Sequence, residues 1–266
     1  MTESIICDYL EDALINHIIR DTEYTSPGTN IYMALFTDAS VQTDSNPGTE
    51  VSGGDYARKL YNVWDAPSTS GSTANTNDIE FVEATGNWGN IRYIGIFDAL
   101  TSGNFLLRGQ LTADKEITIG DTFKINAKNF EWNLSGALSN ALSGSIINHV
   151  LRNTSMTVSN NNIYVALYTD NPGRADSGTE LSGNGYARKN ITNWTAPNSG
   201  SGSTVNTNEE TFLQATASWG EITHVGVRND SSGGDLLFVG AWNTSKIVDE
   251  GDYAKIQAEG LGLKIQ

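Results

Sequence analysis

Near its start, the chain carries apolar residues at three- and four-residue steps, the stripe of an amphipathic helix. The stripe consists of Ile5, Ile6, Tyr9, Leu10, Ala13, Leu14 and Ile18. From Ile31 onwards, apolar and polar residues alternate instead, and Gly, Asn, Asp and Ser interrupt the alternation at short intervals. A two-residue period with such interruptions is typical of short β-strands joined by turns. The pattern therefore predicts a mainly β fold in which one short helix precedes the strands.

The same pattern occurs twice along the chain. Segment 13–20 (ALINHIIR) reappears as 145–152 (SIINHVLR), and segment 30–38 (NIYMALFTD) reappears as 162–170 (NIYVALYTD). About two positions in five agree between the copies, and the offset is far too long for a solenoid repeat. We therefore predict a tandem duplication: a first repeat, residues 1–135, and a second repeat, residues 136–266. Each repeat is expected to be an all-β domain, a β-sandwich with its own N-terminal helix.

Two features of the strands can be predicted in more detail. Segment 31–37 is apolar at successive positions, which indicates a central strand buried on both faces. The last strand of each repeat changes the parity of its apolar positions partway along. Because such a change requires an extra residue, we predict a β-bulge near Lys128-Asn129 and another near Glu259-Gly260.

The chain is strongly acidic: its 266 residues include 16 Lys and Arg against 31 Asp and Glu, a formal net charge of −15. Nucleic acids and anionic membrane surfaces bind clusters of Lys and Arg, so we expect neither as a partner. No apolar run approaches the roughly 20 residues that span a bilayer, and the N-terminus lacks the features of a signal peptide. The single cysteine, Cys7, excludes an intrachain disulfide and a cysteine-based zinc site. We expect a protein made in the cytoplasm, without a signal peptide or membrane insertion.

Catalytic chemistry has no clear signal in the sequence. The motifs HExxH, GxSxG and GxGxxG and the Walker sequence do not occur. His17 and His149 occupy the same position in the two repeats, beside the apolar stripe of the predicted helix, and the third histidine is His224. We interpret the first two as hydrogen-bonded histidines at the edge of the core rather than as metal ligands. Carboxylates are too abundant for a glycosidase-type pair to be recognised. We therefore expect no catalytic residues and no enzyme.

An acidic loop follows the central strand in each repeat. Its carboxylates are Asp38, Asp44 and Glu50 in the first repeat and Asp170, Asp176 and Glu180 in the second. Carboxylate oxygens on a loop rich in Gly, Asn and Ser are the ligands that calcium requires, which makes the four aspartates candidate metal ligands. The spacing is not that of an EF-hand, however, and solvated loops with Asx-turns explain the same residues. No cofactor is required by the sequence, and calcium stays an open alternative.

Six tryptophans, three in each repeat, raise the question of sugar binding. Trp64 and Trp194 each precede Ala-Pro by one residue and lie close to a loop rich in Ser and Gly, where an exposed indole could stack on a pyranose. Trp88 and Trp219 each precede Gly and a predicted strand, which favours packing. Since buried tryptophans are common in β-domain cores, we favour a structural role for each of them, and glycan contact at Trp64 and Trp194 is the alternative.

These motifs together resemble a family of bacteriophage tail-fibre-type structural proteins. The shared pattern runs from Ile15-Asn16-His17-Ile18 through the central strand to Gly48-Thr49-Glu50, Tyr56-Ala57-Arg58 and Trp88-Gly89, and it recurs in the second repeat. The resemblance covers nearly all of each repeat. It implies a β-rich virion component with no assigned catalytic residues, whose partners are other virion proteins.

We therefore expect a non-enzymatic virion protein, a tail or tail-fibre component that acts in particle assembly and host attachment. The first alternative is a capsid decoration protein on the head. The second is a carbohydrate-binding module that contacts a host-surface glycan through Trp64 or Trp194. Because three chains with two repeats each would supply six similar domains to a sixfold tail, we also expect a homo-oligomer, either a trimer or a hexamer.

Overall fold

The computed structural model of the chain describes residues 4–38, 45–157, 162–198 and 200–266. In the first repeat a short strand precedes the helix and the other strands follow it. These elements are β1 (Ser4–Ile6), α1 (Asp8–Ile19), β2 (Tyr32–Phe36), β3 (Lys59–Leu60), β4 (Ser72–Ala74), β5 (Ile79–Glu83), β6 (Gly89–Phe97), β7 (Phe105–Ile117), β8 (Thr122–Ile125) and β9 (Glu131–Asn133).

The second repeat has the same order from its helix onwards. Its elements are α2 (Asn140–Leu151), β10 (Tyr164–Tyr168), β11 (Lys189–Asn190), β12 (Ser203–Val205), β13 (Glu210–Thr211), β14 (Gly220–Arg228), β15 (Leu236–Val248), β16 (Lys255–Ile256) and β17 (Gly262–Lys264). The structure confirms the predicted fold class, which is mainly β with one short helix near the start of each repeat.

The helices begin and end where local chemistry favours it. Ser139 caps α2, because its hydroxyl accepts a hydrogen bond of 3.0 Å from the Leu142 backbone N–H. The first turn of α1 instead carries Asp8 and Glu11, whose charges complement the positive end of the helix dipole.

No helix in the described ranges is long and apolar enough to cross a membrane.

The main sheet of the first repeat has the strand order β3-β2-β6-β7-β1-β9-β4. Strand β2 is buried on both faces, as its apolar pattern predicts: Met33 and Leu35 contribute to the main core, while Ala34 and Phe36 join a smaller cluster on the other face. Phe97 and Phe105 also belong to that smaller cluster, and their rings stack with centroids 5.1 Å apart. The sheet is therefore the middle layer of the first repeat.

The second repeat differs at one position in its sheet. In the first repeat, β1 pairs with β7 and also bridges β9 through Ser4 and Trp132, which joins the strands into one sheet. Its counterpart before α2 forms only the bridge between Leu138 and Phe238. The described strands β11-β10-β14-β15 therefore form one sheet, and β12-β17 form a separate pair.

One continuous cluster of buried apolar side chains runs through both repeats. Each helix packs on its own sheet and also contacts the other repeat: α1 lies against β12, and α2 lies against β4. Buried residues of both helices, such as Ile18 and Ile147, belong to this cluster. The two repeats therefore share a core. The sequence boundary near residue 135 remains a prediction.

The predicted β-bulges are replaced by tight turns. Strands β8 and β9 are separate: β8 pairs with β5, whereas β9 pairs with β4. Lys128 and Glu259 occupy the turns in the left-handed region, with φ of +65° and +60°. The change of parity was located correctly, but the prediction of a bulge inside one strand was wrong. The chain turns because it leaves one pair of strands to join another, which sequence periodicity does not distinguish from a bulge.

A buried asparagine holds each of these turns. Asn206 is fully buried, and its amide donates hydrogen bonds to the carbonyls of Asn208 (2.7 Å) and Gln257 (2.8 Å). Its side-chain oxygen accepts from the Leu261 N–H at 2.8 Å. Asn75 does the same in the first repeat, with Asn77, Asn126 and Phe130 as partners. The Asn-Thr-Asn triplet that the repeats share is thus a structural element of the turn.

We predict that Asn206→Ala lowers the free energy of unfolding by about 1–3 kcal/mol, because it removes three hydrogen bonds and leaves the buried Leu261 N–H without its partner. Urea unfolding followed by tryptophan fluorescence measures the change. Asn193→Ala is the control, since Asn193 is exposed and only its backbone supports the neighbouring strand. Equal midpoints for the two variants would contradict the role given to Asn206.

Candidate functional site

The centre of the molecule is a contact between two equivalent histidines. His17 of α1 and His149 of α2 are both buried, and their rings stack with centroids 5.0 Å apart and an interplanar angle of 18°. A residue that contacts its own counterpart lies on an approximate twofold axis, as in an isologous dimer interface. We call this contact and its hydrogen-bonded neighbours, Tyr24 and Met156, the seam.

The hydrogen bonds of the seam are reciprocal. Tyr24 donates its N–H to His17 Nδ1 (3.0 Å), and its carbonyl accepts from His149 Nε2 (2.8 Å). Met156 donates its N–H to His149 Nδ1 (3.1 Å), and its carbonyl accepts from His17 Nε2 (3.0 Å). Each ring therefore joins the segment after its own helix to the equivalent segment of the other repeat.

This arrangement suits a neutral imidazole at His17. Its Nδ1 accepts a hydrogen bond from the Tyr24 N–H, so a proton there would place two donors face to face. Burial lowers the pKa of His17, and the nearby His149 acts in the same direction, against the raising effects of the Met156 carbonyl and of Glu23. The two histidines are hydrogen-bonded, as the sequence predicts, but both are buried between the repeats rather than at the edge of the core. His224 lies apart from them, with Nδ1 2.9 Å from Thr223 Oγ1.

Further polar contacts cross the seam on either side of the histidines. Asp12 accepts hydrogen bonds from the N–H groups of Gly200 and Gly202, both at 3.0 Å, so α1 holds a loop of the second repeat. In the opposite direction, the Arg152 guanidinium donates to the Trp64 carbonyl. The repeats are therefore linked by directional bonds as well as by the shared core.

The Tyr-Ala-Arg motif of each repeat fastens a hairpin. Arg188 forms a two-pronged ion pair with Glu180, with Nε and Nη2 each 2.7 Å from a carboxylate oxygen. Its Nη1 donates to the carbonyls of Asp230 and Gly233, both at 2.7 Å, in the loop between β14 and β15. Tyr186 completes the group by donating to Glu180 and accepting from the Leu167 N–H.

The first repeat contains the same group. Arg58 pairs with Glu50 at 2.9 and 2.8 Å and donates to two carbonyls of the loop between β6 and β7. Tyr56 occupies the position of Tyr186, and burial raises the pKa of its hydroxyl well above the ordinary range. In both repeats, the Tyr-Ala-Arg motif and the glutamate of the acidic loop fix loops.

The Trp-Gly motif belongs to the same structural unit. Trp88 Nε1 donates to the Gly54 carbonyl at 2.9 Å, and its ring packs edge-on against Tyr56. Trp219 makes the equivalent contacts with Asn184 and Tyr186. Both tryptophans are therefore structural, consistent with the interpretation given to their Trp-Gly context.

The candidate sugar-stacking residues do not present their rings. Trp64 is 4% exposed and packs edge-on against Tyr61 and Phe130. Trp194 is 7% exposed, and its Nε1 donates to the Ile191 carbonyl. The alternative of a glycan contact at Trp64 and Trp194 is not supported, because both rings are buried in the core, as the favoured structural role predicts.

The candidate calcium ligands lie in loops where they already have partners. Asp38 and Asp170 accept from the N–H groups of Thr49 and Thr179, and so close equivalent loops. Asp176 instead pairs with Arg228 at 2.5 Å. Asp44 lies outside the described residues. Within the ranges that the structure describes, no group of three or more His, Cys, Asp or Glu is arranged to hold a metal ion.

Sequence analysis missed an open cleft beside α1, close to the seam. The cleft has a volume of about 750 Å³ and is lined by the side chains of Asp8, Tyr9, Asp12, Asn16, Glu23 and Tyr24, among others. Tyr9 belongs to the apolar stripe of the helix, yet 43% of it is exposed. Helical periodicity assigns this tyrosine to the core, but its ring lies partly open at the cleft.

We predict that Arg188→Lys destabilises the protein by about 1–3 kcal/mol, because an ammonium cannot replace the two-pronged pair and the carbonyl contacts together. Hydrogen exchange of the 229–235 loop and the thermal midpoint measure the effect. Lys264→Arg serves as the control, because it also exchanges one basic side chain for the other, but at an exposed position. Unchanged exchange in that loop would show that Arg188 does not fasten the hairpin.

The seam predicts a pH-dependent stability. Because the pKa of His17 is lowered on folding, the unfolded chain binds the extra proton first. The contribution of His17 to stability is fully present above the unfolded pKa of about 6.5. It is lost as the pH falls from there towards the lower folded pKa. We expect urea unfolding to give a lower free energy of unfolding at pH 5.5 than at pH 7.5.

In that experiment His17→Gln should reduce the difference between the unfolding free energies at the two pH values, since the side chain no longer titrates. His224→Gln should leave the difference as it is in the unmodified protein. A His17→Gln variant with an unchanged pH dependence would assign the effect to other groups.

Comparison with known proteins identifies the family. A family model described as podophage GP4 fiber I protein gp80 matches the chain twice, at residues 5–133 and 137–264. No curated protein matches it significantly. The two matched segments contain the helix, the seam histidine and both signature motifs of each repeat. Since they cover nearly the whole chain, the protein belongs to this podophage fibre family and carries its domain in two tandem copies.

Proposed function

We propose that the protein is a non-enzymatic structural component of the phage tail fibre, acting in particle assembly and host attachment. The observation that carries the proposal is the match of a fibre-protein family to both repeats. The internal role of the shared motifs supports it: Glu180, Tyr186 and Arg188 form hydrogen bonds within the fold, as their first-repeat counterparts do.

A fibre component must transmit force and keep its shape outside a cell. The reciprocal histidines, the shared core and the hairpins fastened by arginine supply a rigid two-repeat unit. A formal net charge of −15 keeps such a surface soluble and disfavours aggregation. These properties suit a structural module whose surfaces mediate binding.

The proposal includes self-association into a trimer or a hexamer and docking onto other virion proteins. Closed rings are the common symmetry of such assemblies, and three two-repeat chains would match a sixfold tail. The two repeats differ in surface charge, which allows one to dock on the particle while the other faces outward.

Immunogold electron microscopy of purified virions, with antibody raised against this chain, tests the location. We expect label on the tail or its fibres, and particles from a phage that lacks the gene are the control for antibody specificity. Label scattered over the head would replace the proposal with capsid decoration. No label on detergent-opened as well as intact particles would remove the virion role.

A further inference from the structure

The cleft beside α1 has the composition of a small-molecule site. Its opening exposes the ring of Tyr9, and the ring of Tyr24 lies beneath it, with centroids 6.4 Å apart and an edge-on angle of 71°. Aromatic rings offer an apolar face on which the C–H groups of a sugar pack. Concave sites with aromatic walls and a few oriented polar groups are the usual form of ligand sites.

Tyr24 carries an unsatisfied polar group at this cleft. The residue is only 7% exposed, and among the described residues nothing hydrogen-bonds to its buried hydroxyl. A buried hydroxyl without a partner is costly and uncommon in folded proteins, so it marks a position where a donor or acceptor is expected. Burial raises the pKa of this phenol, which keeps its proton available for donation.

The seam fixes the position of Tyr24. Its N–H and its carbonyl are both bonded to histidines, and its ring packs edge-on against His149 with centroids 5.6 Å apart. The backbone and ring of a residue held at three points stay in place when a ligand binds, which lowers the entropic cost of binding.

The carboxylates that line the cleft disfavour negatively charged ligands. Asp8, Asp12 and Glu23 line it, and ionised carboxylates only accept hydrogen bonds, which suits the hydroxyl groups of a sugar. The first 134 residues hold 8 basic and 19 acidic residues, a net charge of −11, against −4 for the remainder. Anionic ligands are therefore repelled from this cleft.

The second repeat provides an internal comparison. The cleft at the equivalent position is lined by Ala141 and Met156, which replace Tyr9 and Tyr24. Asn140 and Gly144 occupy the positions of Asp8 and Asp12. The backbone bonds of the seam are the same in both repeats, so the rings, the hydroxyl and the carboxylates are additions specific to the first repeat.

We propose that the first-repeat cleft binds an uncharged oligosaccharide, with a pyranose ring stacked on Tyr9 and a sugar hydroxyl bonded to the Tyr24 phenol. The inference builds on the proposed attachment function and gives it a ligand class and a site. The site excludes sugars that carry carboxylate, sulfate or phosphate groups.

Binding is tested on an array of neutral gluco-, galacto-, manno- and N-acetylglucosamine oligosaccharides, printed beside sialylated, uronic-acid-containing and phosphorylated ones. Titration calorimetry then gives the affinity for the best neutral sugar. We expect the full chain to bind neutral sugars only, and Tyr9→Ala to lose about tenfold or more in affinity. Tyr253→Ala is the matched control, because Tyr253 is 44% exposed in the other repeat, and it should bind as the unmodified chain does.

Tyr24→Phe separates binding from folding. It removes only the hydroxyl that lacks a partner, so the thermal midpoint should stay the same or rise while the affinity falls severalfold. No binding to any neutral sugar, binding to anionic sugars with equal affinity, or unchanged affinity in both Tyr9→Ala and Tyr24→Phe would overturn the inference. Tail label on virions without sugar binding would leave the proposed structural role intact and overturn the sugar site. Sugar binding without virion label would support the sugar site and overturn the virion role.

Discussion

The structure depends on the stacked pair of His17 and His149. A neutral imidazole has one donor and one acceptor on opposite sides of its ring, so each histidine binds a backbone N–H of its own repeat and a backbone carbonyl of the other. Separating the repeats would leave these buried groups without partners and would open the shared core. The tandem arrangement is therefore one cooperative unit, and the acid sensitivity of His17 becomes a property of the whole chain.

Duplication produced a symmetric scaffold with different surfaces. The helices, the asparagine-held turns and the arginine-fastened hairpins recur at equivalent positions. One difference lies at a buried position of the sheet: Phe97 stacks in an aromatic cluster, whereas its counterpart Arg228 is buried against Tyr168 and Asp176. Symmetry at the seam fixes the fold, and the surfaces beside it are free to carry separate binding roles.

The residues that identify the family are those that hold loops in place. Arg58 and Arg188 each cross from one loop to another through a carboxylate and two carbonyls, and Trp88 and Trp219 pack on the tyrosines that orient those carboxylates. Motifs of this kind mark a shared architecture rather than a shared ligand. The features that point to a ligand, Tyr9 and Tyr24, lie outside the signature motifs and are absent from the second repeat.

By itself, the sequence determined the duplication, the mainly β class, the helix at the start of each repeat and the central strand, because periodicity and self-similarity depend only on the order of residues. It also located the irregularity near Lys128 and its counterpart, but not its form. Tertiary structure decided that this irregularity is a turn, that Trp64 and Trp194 are buried and that Tyr9 is open. Those outcomes depend on which distant strand or which repeat packs against each residue, and local pattern carries no information on such contacts.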